Sequence, residues 1–252
     1  MICDLKIGKD GMGDRKQVLI TGAAGLVGGI LRAHWGDRYT LRLADIKPVE
    51  DTAGHETFRQ VDITNYDQML DACRGMDTLV HLAADPNPSG EFYKTLLQLN
   101  VIGAYNAFQA ALEAGCQRIV FASSVNAVRG YQGKIETTWD VPIFPQNVYG
   151  ATKCWGEALA RVYSDQHGLS CICVRLGSPR FDMATLKSDI LDRPSIGISR
   201  RDTAQLFGRC VEVEAVDFAI VHGVSRHRKS WMDVEHSCRV LGYDPQDGTA
   251  MV

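Results

Sequence analysis

From Gln17 to about residue 176, short β-branched and apolar runs alternate with longer stretches whose apolar positions recur every three or four residues. The runs Gln17–Thr21, Tyr39–Asp45, Phe58–Val61, Thr78–Leu82, Arg118–Ser123 and Ser170–Arg175 predict strands. Between them, Leu26–Trp35, Tyr66–Cys73, Phe92–Ala114 and Val148–His167 carry the period of helices. Parallel strands need a crossover of about this length, and such crossovers are right-handed, so the pattern predicts an α/β fold with a doubly wound parallel sheet.

After residue 176 the rhythm loosens. Gly177–Arg193 is polar, with Pro179 inside it and Pro194 just beyond. A helix is expected from Ser199, which supplies an N-cap, with Asp202 in the first turn. One more strand, Asp217–Gly223, and a short helix near Val234–Leu241 follow. We therefore expect a single domain with a core over residues 17–176, and residues 177–252 as a small C-terminal substrate-side cap within it.

The 252 residues are 45% hydrophobic and 23% charged, a composition that excludes disorder and fibrous repeats. Lys and Arg total 27 against 30 acidic residues, for a net charge of -3 without long runs of either sign, so neither a nucleic-acid nor a membrane surface is expected. The first sixteen residues lack the apolar stretch of a secretory signal, and no stretch is long enough to span a bilayer. A cytoplasmic location is the expectation. Eight cysteines are scattered without the paired spacing of a zinc site, and we expect no metal and no disulfide.

Chemistry first becomes visible after the first strand. Thr21-Gly22-Ala23-Ala24-Gly25-Leu26-Val27-Gly28 is a GxxGxxG loop opening directly into a helix. Glycines there allow a tight turn, close approach of a pyrophosphate and close helix packing, and the free N–H groups at the helix start hold phosphates. Asp45, ending the second strand, suits the 2′ and 3′ hydroxyls of an adenine ribose and repels a 2′-phosphate, which favours NAD over NADP. Lys47 lies close enough to blunt that repulsion. Asp62 either meets the adenine or caps the helix that begins near Tyr66.

Tyr149 and Lys153 stand one helical turn apart, so their side chains share a face. A neighbouring ammonium stabilises a phenolate and brings a poor base toward the working range. The strand ending in Ser123-Ser124 supplies a hydroxyl at the end where open α/β sheets bind ligands, and Ser124 is the nearer to the crevice. Asn100, an amide inside an apolar helix, is either a satisfied structural residue or part of a proton relay. His81 ends a buried strand and is read as structural.

Together, the glycine loop, Asp45, His81-Leu82-Ala83-Ala84, Asn100-Val101-x-Gly103, Ser124 and Tyr149-x-x-x-Lys153 resemble the extended short-chain dehydrogenase/reductase family. That resemblance implies a Rossmann-type sheet. It implies Tyr149 as acid/base, Lys153 on the nicotinamide ribose and Ser124 orienting the reacting group. It also implies NAD contacts from Gly22, Ala24, Gly25, Leu26, Val27, Gly28, Asp45, Ile46, Asp62, Ile63, Leu82, Ala83, Ala84, Asn100 and Ala122, besides Tyr149 and Lys153. Within the family, Ile119–Ser124, the segment from Tyr149 to Arg161, and Arg175-Leu176-Gly177-Ser178 resemble the bacterial uronate dehydrogenases, which oxidise the anomeric carbon of a hexuronic acid with NAD.

Substrate contacts implied by that resemblance are Ser124, Val125, Asn126, Tyr149 and Ser178. Val125-Asn126 stands where the group has Asn-His, and Pro86 where it has a serine. The arginine that clamps the uronate carboxylate corresponds to Arg180 or Arg193. Two largely apolar helices, Phe92–Ala114 and Val148–His167, call for a partner, and in the family they form the dimer interface. The run Arg226-His227-Arg228-Lys229 is a solvated loop or an anion site at the substrate mouth. The expected activity is thus oxidation of a uronic acid or related aldose to a lactone by a homodimer or higher homo-oligomer. The alternatives are a nucleotide-sugar epimerase or dehydratase, for which the segment after Leu176 is short, and a non-catalytic NAD sensor.

Overall fold

A computed structural model describes residues 15–181, 196–227 and 229–248. The chain runs β1 (Gln17–Thr21), α1 (Leu26–Trp35), β2 (Thr40–Asp45), β3 (Glu56–Gln60), α2 (Tyr66–Cys73) and β4 (Thr78–His81). A wide-turned helix over Phe92–Ile102 then leads into α3 (Gly103–Glu113), followed by β5 (Arg118–Ser124), α4 (Val148–His167) and β6 (Ser170–Leu176). Two short strands, β7 (Ser178–Phe181) and β8 (Gly197–Ser199), precede α5 (Arg200–Glu212), β9 (Phe218–Gly223) and α6 (Glu235–Leu241).

Seven strands form one parallel sheet in the order β3-β2-β1-β4-β5-β6-β9. Strand alternation sorts the interior into two layers. Val18, Ile20, Val120, Ile172 and Val174 face α1 and α5. Leu19, Ile119, Phe121, Cys171 and Cys173 face α2, α3 and α4. The chain order reverses between β1 and β4, and the carboxyl ends of these strands open the crevice where such sheets take ligands.

Several sequence expectations shift in detail. Phe92–Ala114 is not one regular helix: Leu96 N–H bonds Glu91 O, and Gly103 N–H bonds Gln98 O, the five-residue spacing of a π-helix. The third strand starts at Glu56, ahead of Phe58, and ends before Val61. The segment after Gly177 contains β7, which pairs in parallel with β8. Those strands are too short for alternation to reveal them.

Candidate active site

Gly22 follows β1 at φ 72°, and a Cβ there would lie 2.8 Å from the backbone nitrogen of Ala83. A Cβ on Gly28 would lie 2.6 Å from Ala23 O. At both positions the backbone comes too close to its neighbour for any larger residue. Gly25, the N-cap of α1, offers no side chain to the first N–H groups, and the first turn contains no acidic residue. The helix start, with Leu26 and Val27, thus keeps donors and positive dipole for an anion. Asp45 is pinned at the rim, its Oδ2 accepting from Ala24 N–H and its Oδ1 from Lys47 N–H, both at 3.0 Å. Each carboxylate oxygen retains accepting capacity for a ribose hydroxyl. Exposed Ile46 lies beside it. Free donors, a tight glycine loop and a carboxylate at the rim fit a dinucleotide such as NAD.

Asp62 Oδ1 accepts from the backbone and hydroxyl of Thr64, at 2.9 and 2.8 Å. It does not cap α2, because Asn65 accepts from Gln68 N–H in that role. Ile63 is buried, in the layer that holds α2 and α3. On β4, His81 Nδ1 meets Thr21 Oγ1 at 2.9 Å, tying β4 to β1 beneath the glycine loop. Burial, reinforced by the Lys153 charge, pushes its imidazole down to about 3, so it is neutral and structural. Leu82, Ala83 and Ala84 follow as half-buried residues at the switch point, with Ala122 half-buried on β5.

Asn100 is bonded through both ends of its amide. Its Oδ1 accepts from Asp85 N–H at 2.8 Å, and its Nδ2 donates to Asp85 O and Thr152 Oγ1, both at 3.1 Å. Thr152 Oγ1 donates in turn to Tyr149 O at 2.7 Å. The amide thus clamps the loop after β4 to the first turns of α4.

α4 brings the reactive groups together. Asn147 caps it, accepting from Gly150 N–H at 2.7 Å, and its Nδ2 donates to Asn126 Oδ1 at 3.1 Å. Asn126 donates through its side chain to Ser124 Oγ at 3.1 Å and through its backbone at 3.2 Å. The Ser124 hydroxyl stands close enough to the Tyr149 phenol to oppose the upward push of burial and the Asp85 charge on that phenol. Burial dominates, so the net shift is upward. Lys153 Nζ sits 5.7 Å from the centre of the Tyr149 ring and 5.2 Å from that of Phe121. Complete burial lowers the ammonium to about 8.

Ser123, the other hydroxyl of the pair, donates to Glu157 Oε1 at 2.6 Å and is engaged away from Ser124. On the substrate side, Val125 is buried with Val128, Val224, Trp231, Met232 and Val234. Ser178 N–H bonds Ile196 O at 2.8 Å and the residue is half-buried. Arg193 and the side chain of Arg180 lie outside the described residues, as does Arg228. Of the basic run, Arg226 pairs with Glu235 at 2.8 Å. Sequence reasoning missed Asp85, Asn147, Thr152, Glu157 and Arg175. Asn147 carried a signal, an N-cap type directly before a helix. The others acquire meaning only from contacts between distant elements.

The sequence profile of the NAD dependent epimerase/dehydratase family matches residues 18–179. The chain belongs to this family. The chain is similar to the NAD-dependent glucose-6-phosphate dehydrogenase of Haloferax volcanii, 32% identical, the alignment covering 92% of this chain and 94% of that protein. The uronate dehydrogenase of Pseudomonas putida is 31% identical, over 92% of this chain and 85% of that one. A mutant uronate dehydrogenase from Agrobacterium tumefaciens, solved in complex with NAD, superposes with a TM-score of 0.81 at 31% identity, covering 92% of this chain and 85% of that chain. The fold is the Rossmann-type fold of these structures, with its seven parallel strands.

Proposed function

We propose that the protein is an NAD-dependent dehydrogenase that oxidises the anomeric hydroxyl of a monosaccharide, a uronic acid or related aldose, to a lactone. The observation that carries this reading is the placement of Ser124, at the carboxyl end of β5, against the Tyr149 phenol beside buried Lys153. Sugar as the substrate class is supported by relatives near one-third identity that are named for glucose 6-phosphate and for uronates. Bound NAD supplies the hydride acceptor. Ser124 orients the sugar hydroxyl, the Tyr149 phenolate accepts its proton and becomes the neutral phenol, and Lys153 stabilises that phenolate before the transfer and holds the ribose. Gly22, Gly25, Gly28 and Asp45 fix the cofactor, with Val125, Asn126 and Ser178 on the sugar side.

Assembly as a homodimer belongs to the same proposal. Tyr93 (84% exposed), Tyr105 (46%), Trp155 (40%) and Val162 (50%) put apolar surface on the helices Phe92–Glu113 and α4. A reducing cytoplasmic setting is supported by the seven cysteines among the described residues, all of them free and six of them buried. No helix among the described residues is long and apolar enough to cross a membrane.

The test is NADH production from a panel of glucuronate, galacturonate, glucose 6-phosphate, glucose and arabinose, with lactone detected as product. Turnover of at least one sugar with stoichiometric NADH is expected. Inertness toward the whole panel, with NAD retained tightly through purification, would favour an epimerase instead.

A further inference from the structure

Arg175, 1% exposed, heads the large side chains of this interior in size. Its Nε and Nη2 each meet one oxygen of Glu157 at 2.9 Å, and Nη1 donates to Trp139 O at 3.1 Å. Ser123 Oγ adds a third contact to Glu157 Oε1, at 2.6 Å. A buried ion pair of this kind adds little net stability over apolar residues of similar volume, because desolvating both charges offsets their attraction. Its placement suggests another use. Glu157 lies one turn beyond Lys153 on α4, a spacing that makes side chains neighbours. Both side chains are buried against β5, with Lys153 over Phe121 and Glu157 on Ser123. Among the described residues Lys153 nevertheless forms no ion pair.

We propose that Arg175 is a positioning residue for the dehydrogenase chemistry proposed above: by holding both oxygens of Glu157, it keeps that carboxylate from pairing with Lys153. The ammonium then remains available to the Tyr149 phenolate and the nicotinamide ribose. Without Arg175, Glu157 would be a buried carboxylate without a cation, one helical turn from a buried ammonium, and attraction in a low-dielectric interior would draw the two together. A Lys153 so paired would stabilise the phenolate less. The other titratable groups here leave this balance to Arg175. His81 from β4 is neutral, and the Cys173 thiol from β6 is held protonated by burial. His222 from β9 faces Arg175 and is lowered to about 4, chiefly by burial. Asp85, from the loop after β4, acts on Tyr149.

The test follows the Lys153 ammonium by NMR in the protein without NAD, with the signal assigned through Lys153→Met. Wild type should titrate at about 8. In Arg175→Met the midpoint should rise by about one pH unit or more, and in Glu157→Gln/Arg175→Met it should return to the wild-type value. With the sugar identified by the panel, the acidic limb of kcat should move upward in the single variant and return in the double. An unmoved Lys153 in Arg175→Met, or a shift that persists in the double variant, overturns the proposal. If Arg175→Met does not fold, Arg175→Lys carries the test. Its single-point contact frees one Glu157 oxygen, so the Lys153 midpoint should rise by about half a unit; no rise overturns the proposal. Inactivity of wild type toward every sugar would sink the dehydrogenase reading and leave the lysine titration unaffected.

Discussion

At the scale of single residues, the site opposes two buried ionisations. Tyr149 is pushed up and Lys153 pushed down, both chiefly by burial. The phenol must lose a proton to act as base, whereas the ammonium must keep one to support it. Because the lowered lysine loses its charge as pH rises through about 8, kcat/KM should climb from the acid side and then fall above that value. A pH profile of initial rates checks this, and Lys153→Arg, which stays charged, should remove the falling limb. Tyr149→Phe should lower kcat by a factor on the order of 10² to 10⁴ with NAD affinity unchanged by calorimetry, since the hydroxyl is needed for proton transfer and not for the fold. The glycine loop, Asp45, Ser124, Tyr149 and Lys153 were legible because each carries its chemistry in a local spacing. Glu157 and Arg175 were not, because an ion pair between a helix and a distant strand leaves no mark on either stretch alone.

At the scale of elements, α4 and β5 hold the site through very close packing. A Cβ on Gly156 would stand 2.1 Å from Cζ of Phe121, the ring over which Lys153 lies. Gly156→Ala should therefore force helix and strand apart, destabilising the protein by about 1 to 3 kcal/mol and lowering kcat through the displaced lysine. Thermal melts and rates on the same preparation check both effects, and Phe121→Leu added to the variant should recover most of the lost stability. The bounds of α1, α2 and α4 follow directly from the period of apolar positions, since each buries one stripe on the sheet. That period did not reveal the π-helical turns of Phe92–Ile102, whose widened spacing depends on hydrogen bonds and not on side-chain type. It also missed β7 and β8, which are too short to alternate.

For the molecule as a whole, two buried imidazoles make acid the weak side. His81 and His222 are lowered to about 3 and about 4, from 6.5. Both are neutral in the folded protein, while the unfolded chain takes up protons below about pH 6.5, so stability should fall as pH drops from there toward 4. Melting temperatures across that range check the sign, and His222→Asn should flatten the slope. Assembly is tested separately: Trp155→Asp, which puts a charge on the outer face of α4, should convert a dimer measured by light scattering into a monomer. The strand order carries a further consequence for synthesis. β6, whose residues beyond Ser170 are all buried, has β9 as its outer neighbour, and β9 is made last among the strands. Until β9 is in place, a nascent chain with its cofactor loop already complete presents Ser170–Leu176 as a bare apolar edge, the kind of template on which chains aggregate. Recovery of active protein should therefore depend on how quickly the C-terminal third reaches the sheet, whatever the stability of the finished fold.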